Sequence, residues 1–183
     1  MNNANVLGRI AIAILPHTRA RSAHMNIMSR LLSSGDVIVG LDVPNKLRAL
    51  EQAAVILERR HKVSHAPVLR ALWRREQVGS TALGHGIAVP HARITGISEP
   101  IVLFVRMKSA IEFHAPDRKP VSLLFVILVP EHANDEHLKI LATVSEMFSN
   151  KTFRDRLEAT IEPAAIQRLF SEWKSNDIQY QTK

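Results

Sequence analysis

The feature that most constrains the fold is an almost uninterrupted apolar segment at residues 121–129, which reads VSLLFVILV. It is followed at once by Pro130, which has no amide donor and ends regular pairing. The segment is far shorter than the roughly 20 residues that a helix needs to cross a bilayer. Because polar residues do not alternate with the apolar ones, it predicts a central strand that is buried on both faces of a sheet. Such a strand needs a covering layer on each side.

Helical patterns before and after this strand are candidates for the covering layers. Apolar residues recur at helical spacing from Leu47 to Leu57, and Asp42 or Asn45 is the candidate N-cap. We expect further helices at 64–76, from 134 onward, at 152–157 and at 162–173, and further strands at 87–89, 101–107 and 111–113.

This alternation of helices and strands predicts one layered α/β domain, which also suits a chain of 183 residues. We place the domain at residues 25–174. Residues 1–24 are expected to be a disordered extension or the result of a start codon assigned too far upstream. A short interfacial or partner-binding segment is the alternative there. Residues 175–183 are expected to be a polar tail.

Composition excludes several classes of function. The chain holds 24 Lys and Arg against 17 Asp and Glu, but no run of basic residues and a single Tyr, which argues against nucleic-acid binding. An apolar content of 46% argues against disorder as the main state. The chain has no Cys, which excludes disulfides, a thiol nucleophile and thiolate zinc sites, and suits a cytoplasmic protein. No apolar run is long enough for membrane insertion.

Histidine is therefore the residue type to examine for chemistry, and the chain has nine. His91 follows the predicted strand at 87–89 and Pro90. A side chain at a strand end is held by the sheet and still faces solvent, and neutral imidazole is a nucleophile near pH 7. From the residues alone, a reactive histidine and an ordinary surface histidine both remain open.

The segment at residues 75–92, REQVGSTALGHGIAVPHA, resembles the signature of the mannitol/fructose-type IIA components of the bacterial phosphotransferase system. The shared pattern is an acidic residue (Glu76), then Leu-Gly at 83–84, then Ile-Ala-Val-Pro-His at 87–91 and a small residue. Gly-Ser-Thr at 79–81 and the leading glycine of the last run are most similar to the nitrogen-regulatory branch. The similarity extends over 25–173.

This resemblance implies a three-layer α/β fold of the mannitol IIA type, with a mixed sheet of about five strands and helices on both faces. It also implies that the Nε2 atom of His91 becomes phosphorylated, giving tele-phosphohistidine. His137 and Arg75 would support the phosphoryl group, and Ser80 and Thr81 would donate hydroxyl hydrogen bonds to it. The resemblance implies no metal and no cofactor.

The implied partner is an HPr-like phosphocarrier of the NPr type, which receives phosphate from phosphoenolpyruvate through enzyme I. Arg93 follows the reactive histidine and is a candidate contact with this donor. Potassium-transport or sensor-kinase proteins are possible targets of regulation. Two alternatives stay open: a sugar-transport IIA that passes phosphate to a IIB domain, and a protein that mainly binds targets under the control of its phosphorylation.

The sequence departs from the family pattern at His114 and Ser122, where related sequences are expected to carry acids. A metal site built from His85, His91, His114 and His137 also stays open, although the chain has no His-Glu-x-x-His spacing.

Overall fold

The computed structural model describes residues 26–132 and 136–174. The expected extension at 1–24, the expected tail at 175–183 and the predicted helix-opening residues Asn134 and Asp135 lie outside the described residues. Within the described part of the chain, no helix is long and apolar enough to cross a membrane.

Helices lie at both ends of the described chain as the sequence predicts, but the predicted alternation in the middle is wrong, because five strands follow one another between residues 82 and 130 with no helix between them. In chain order the described elements are α1 (Ile27–Leu31), a 3-10 turn (Ser34–Asp36), β1 (Val37–Leu41), α2 (Lys46–His61), α3 (His65–Val78), β2 (Ala82–Gly84), β3 (Ile87–Ala88), β4 (His91–Ile94), β5 (Ile101–Ile111), β6 (Val121–Pro130), α4 (Glu136–Ser149), α5 (Lys151–Ala159) and α6 (Pro163–Ser171).

One mixed sheet holds all of these strands. Its order is β1-β5-β6-β3-β2, and β4 also pairs with β6. Strand β6 pairs antiparallel with β5 on one side and parallel with β3 and β4 on the other. Strand β1 pairs parallel with β5, and β2 pairs antiparallel with β3. The predicted mixed sheet is confirmed, with six strands rather than about five.

The extra strand arises from an interruption at Pro90. Ile87 lies opposite Leu123 and His91 lies opposite Ile127, so β3 and β4 follow β6 in one register. Pro90 donates no hydrogen bond, yet its carbonyl accepts one from the Ile127 amide at 2.9 Å. The prediction that His91 lies beyond a strand end was therefore wrong, because pairing resumes and His91 begins β4.

The central strand is buried on both faces, as its sequence predicts. Alternate side chains of β6 enter two separate cores, and both sets are almost fully buried. Leu124, Val126 and Leu128 pack with α2 and α3, whereas Phe125 and Ile127 pack with α1, α4, α5 and α6. These two cores give the predicted three layers.

The structure decides between the two candidate N-caps of α2, joins two predicted strands, and adds a strand that was not predicted. Asn45, not Asp42, caps α2, because its side-chain oxygen accepts from the Arg48 amide at 3.0 Å. The segments at 101–107 and 111–113 belong to one strand, since 101–111 is extended throughout. Strand β1 was not predicted, because its five residues include Gly40 and form too short a pattern.

Candidate functional site

His91 faces a surface cleft of about 680 Å³ formed by α3, β4, β6 and the start of α4. Arg75 and Val78 from the last turns of α3 form one wall, and Leu138 and Leu141 of α4 form another. The topology explains this position, because the Pro90 interruption places β4 at the end of β6, next to the end of α3.

The orientation of His91 follows from strand alternation. Its neighbours Ala92 and Ile94 are buried in the core beneath α2 and α3. Side chains alternate along a strand, so His91 points to the opposite side, where it is only partly buried.

Two hydrogen bonds assign the protonation of the His91 ring. Its Nδ1 lies 2.9 Å from the Val89 carbonyl oxygen, which can only accept. Its Nε2 lies 3.2 Å from Arg75 Nε, which can only donate. The ring is therefore the neutral tautomer with its proton on Nδ1, and the Nε2 lone pair is directed into the cleft toward Arg75. This is the nitrogen that a nucleophilic histidine would use.

Arg75 is itself fixed at the end of α3. One terminal nitrogen donates to the Gly79 carbonyl at 2.9 Å, while Nε donates to His91. The guanidinium is therefore held beside Nε2, where its planar fork could bind two oxygens of a tetrahedral anion. The structure brings together these two predicted site residues.

The assigned tautomer can be tested by nuclear magnetic resonance of histidine-labelled protein. We expect two-bond proton–nitrogen correlations to show a protonated Nδ1 and an unprotonated Nε2 for His91 at pH 8, because both hydrogen-bond partners require it. In Arg75→Ala, the Nε2 signal should shift while Nδ1 stays protonated, since the Val89 carbonyl remains. A ring protonated mainly on Nε2 would contradict the assignment.

Glu76, the acidic residue of the sequence signature, faces away from the cleft and is fully buried. One carboxylate oxygen lies 2.9 Å from Lys46 Nζ. The other accepts from the Thr81 amide at 3.0 Å and from the Thr81 hydroxyl at 2.6 Å. The carboxylate therefore anchors the turn that follows α3, and that turn carries the Gly79 carbonyl bound by Arg75. The sequence signature marked Glu76 but assigned it no role, because its contacts depend on a mostly buried lysine 30 residues away.

The hydroxyls of Ser80 and Thr81 are engaged outside the cleft. Ser80 Oγ donates to the Phe113 carbonyl at 2.7 Å, and Thr81 Oγ1 donates to Glu76. Neither residue is part of the cleft lining. Their role as phosphate ligands stays a prediction, and it would require both hydroxyls to exchange these partners.

His137 lies in the first turn of α4, next to Leu138 of the cleft lining. Its side chain lies outside the part of the chain that the structure describes, so its role also stays a prediction. The first turn of α4 lies at the cleft, because Leu138 is part of its lining.

The remaining histidines of interest lie elsewhere. His85 is an exposed turn residue with φ of 54°, and its amide donates to Asp117 at 2.8 Å. This hydrogen bond holds the pKa of the Asp117 carboxyl below its usual value. His114 Nδ1 lies 3.2 Å from Lys46 Nζ. Among the described side chains, no three His, Asp or Glu residues are grouped so that they could hold a metal ion.

Comparison with known proteins identifies the family of the chain. Residues 30–173 match the family model "Phosphoenolpyruvate-dependent sugar phosphotransferase system, EIIA 2". The chain belongs to this family. The resemblance drawn from the signature at 75–92 is confirmed, and the chain is a phosphotransfer component at the level of the family.

Relatives of this EIIA type 2 domain include a nitrogen regulatory protein of Pseudomonas aeruginosa, 36% identical over 78% of this chain and 93% of the relative. The crystal structure of the nitrogen regulatory protein IIA-Ntr of Neisseria meningitidis is 37% identical, covers 79% of this chain and 99% of its own, and has a TM-score of 0.75. The mannitol IIA of Escherichia coli, at 22% identity and a TM-score of 0.64 over 76% of this chain and 98% of its own, shares the fold. The predicted fold type is thus confirmed, and so is the similarity to the nitrogen-regulatory branch.

The difference between buried and exposed ion pairs gives a test of the Glu76 anchor. Glu76→Ala should lower the free energy of unfolding by about 3–5 kcal/mol, because it leaves the nearly buried Lys46 without its carboxylate. Asp155→Ala is the control, since it breaks an exposed pair with Lys151 and should cost less than about 1 kcal/mol. Denaturant unfolding measures both. Equal small losses would show that Glu76 does not anchor the turn.

Proposed function

We propose that this protein is a phosphocarrier whose His91 accepts a phosphoryl group on Nε2 from a phosphohistidine of an HPr-like, NPr-type carrier. The observation that carries the proposal is the assigned ring: Nδ1 is fixed on the Val89 carbonyl, and the Nε2 lone pair faces Arg75 in an open cleft. Membership of the EIIA type 2 family supports phosphoryl transfer as the reaction.

The proposed step needs no metal and no nucleotide. Nε2 of His91 forms a bond to phosphorus while the bond between phosphorus and the donor imidazole breaks, and that electron pair leaves with the donor ring. The proton on Nδ1 stays in place, and the Val89 carbonyl stabilises the positive charge that develops on the His91 ring. Because the transition state of phosphoryl transfer is loose, positioning and charge stabilisation supply most of the catalysis.

Arg75 changes its partner during this step. Before transfer its Nε–H donates to the His91 lone pair, and that lone pair must be released for attack. The phosphoryl oxygens that arrive at the same place are better acceptors, since they are charged. Arg75 then passes from the nucleophile to the phosphoryl group while the Gly79 carbonyl still holds its other end.

His137 and the two hydroxyl residues complete the proposal. The first turn of a helix leaves backbone amides unpaired and favours anions, so a phosphoryl group would be stabilised near the start of α4. His137 lies in this turn and would donate a further hydrogen bond to a phosphoryl oxygen. Ser80 and Thr81 would add hydroxyl donors once their present partners are exchanged.

We further propose that the protein regulates targets connected with nitrogen or potassium, such as potassium-transport or sensor-kinase proteins, and that it works in the cytoplasm. The names of the relatives, nitrogen regulatory protein and IIA-Ntr, support this branch over sugar transport. A IIA that passes phosphate to a IIB domain remains the second candidate, because the description of the family is that of a sugar system.

The acceptor is tested by substitution. We expect His91→Ala to accept no phosphate from enzyme I, the carrier and phosphoenolpyruvate, while His85→Ala, an exposed histidine of a turn, accepts it normally. The label on the wild-type protein should be labile in acid and stable in base, as a phosphoramidate is. Labelled His91→Ala, or an acid-stable label, would place the acceptor elsewhere.

The proposed roles of Arg75 and His137 are tested by measuring the rate of phosphoryl transfer. Arg75→Ala and His137→Ala should each fold and slow the transfer about 100- to 1,000-fold, because each loses one charge-stabilising donor. Arg59→Ala is the matched control, since Arg59 is exposed at the end of α2 and outside the cleft lining. Rapid-quench measurements decide the matter. Control-like rates in both variants would leave His91 without its proposed partners.

A further inference from the structure

The ammonium group of Lys46, at the start of α2, contacts three acceptors. Its Nζ lies 2.9 Å from a carboxylate oxygen of Glu76, 3.4 Å from the Phe113 carbonyl oxygen and 3.2 Å from Nδ1 of His114. An ammonium group has three donors and no acceptor, so these contacts use all of its hydrogens. Only 14% of the lysine side chain is exposed, so water offers little replacement for an acceptor that is lost.

The contact with Lys46 assigns the protonation of the His114 ring. Because Lys46 can only donate, Nδ1 of His114 must accept, and the ring proton is on Nε2. This tautomer is the opposite of that of His91, whose Nδ1 carries the proton. A doubly protonated imidazole has two donors and no acceptor, so a protonated His114 cannot keep its contact with Lys46.

The charged groups around His114 come from α2, from α3 and from its own loop. Lys46 contacts the ring, and Glu76 lies behind that lysine. Glu112 accepts from the backbone amide of His114, not from its ring, and Asp117 in the next turn accepts from two other backbone amides. A second proton on His114 therefore places a cation directly beside Lys46, while the carboxylate of Glu76 is already engaged.

The Lys46–Glu76 pair holds the turn that follows α3. The second carboxylate oxygen of Glu76 accepts from the Thr81 amide at 3.0 Å. This amide contact does not depend on the Thr81 hydroxyl, so it persists if the hydroxyl turns to a phosphoryl group. Because one carboxylate joins Lys46 to the turn, a shift of the ammonium group is passed to the backbone at residue 81.

The same turn fixes the guanidinium beside the nucleophile. The Gly79 carbonyl accepts from one end of Arg75 at 2.9 Å, and Nε of Arg75 donates to Nε2 of His91 at 3.2 Å. Phosphoryl transfer depends on the positions of such groups, and a displacement of about 1 Å can cost about 100-fold in rate. A small movement of the turn is therefore enough to change the rate of transfer.

We infer that His114 and Lys46 are positioning residues for phosphoryl transfer at His91. Neutral His114 completes the contacts of Lys46, which holds Glu76 and its turn and thereby Arg75. Protonation of His114 loosens this arrangement and slows the transfer as the pH falls. The inference rests on the proposed function and adds to it a pH dependence that originates outside the lining of the cleft.

Asparagine at position 114 tests the inference. His114→Asn keeps an acceptor for Lys46 that does not titrate, and asparagine tolerates the φ of 56° found there. The rate of loading of His91 is measured at pH 8 and pH 5.5, a range in which imidazoles titrate, with phosphoramidate and with the phosphorylated NPr-type carrier. We expect the wild-type rate at pH 8. At pH 5.5 the variant should load about 5-fold faster than the wild type, which is the factor that one net hydrogen bond is worth.

Two further variants serve as controls. His85→Asn changes another exposed histidine of similar backbone conformation, with φ of 54°, and should follow the wild type at both pH values. His114→Gly keeps the backbone conformation but removes the acceptor, so it should load about 5-fold more slowly than the wild type at pH 8. Protonation of His91 itself slows all of these proteins alike, so the ratios of their rates isolate the effect of position 114.

The Thr81 amide gives a readout that does not depend on phosphorylation. Its nuclear magnetic resonance signal should move between pH 8 and pH 5.5 in the wild type and stay in place in His114→Asn, because this amide binds Glu76. Equal pH profiles of loading in these two proteins, or equal movement of the Thr81 signal, would overturn the inference and leave the proposed function standing. A wild type that neither donor loads on His91 would overturn both.

Discussion

The parallel pairing of β3 and β4 with β6 is the constraint on which the site depends. Strand β6 is buried on both faces, so its position is fixed by two cores at once. One register runs through β3, the Pro90 interruption and β4, and it transfers this fixed position to His91. Pro90 removes one amide donor from the ladder and leaves a carbonyl that still pairs with β6. The His91 ring is thereby anchored to a strand that is buried in both cores, although the ring itself lies at the surface.

Two adjacent residues of α3 face different environments and make different contacts at the site. Arg75 faces the cleft and donates to His91, while Glu76 faces the interior and anchors the following turn. The Gly79 carbonyl in that turn binds Arg75 in return. The buried carboxylate of Glu76 and the guanidinium of Arg75 are thus connected through one short loop. Burying Glu76 is tolerated because Lys46 and Thr81 satisfy both of its oxygens.

Much of the fold could be predicted because its signals are local. The run at 121–129, the helical spacing in α2 and the turn residues around it depend on neighbouring residues alone. Strand β1 escaped prediction because five residues, one of them glycine, make no clear pattern. The resumption of pairing at His91 escaped it because proline normally ends a strand, and the register that continues is set by β6, far along the chain. At the site, His91 and Arg75 could be found from the signature, whereas the Glu76–Lys46 pair depends on tertiary structure.

The use of consecutive residues on two sides of α3 constrains how the sequence of this helix can vary. Each residue turns an α-helix by about 100°. Deleting one residue upstream of Arg75 would therefore move each following side chain into the place of the residue before it. The Glu76 carboxylate would then take the place of Arg75 beside His91, and the Gln77 amide would take the buried place beside Lys46. Insertions and deletions should therefore be selected against within 65–76 and tolerated in the exposed turn at 95–99, where no side chain is assigned to the cleft or to either core except that of Ile97. In a population of variants, length changes would be confined to such turns, and α3 would keep a constant length even where residues outside the cleft and the core change.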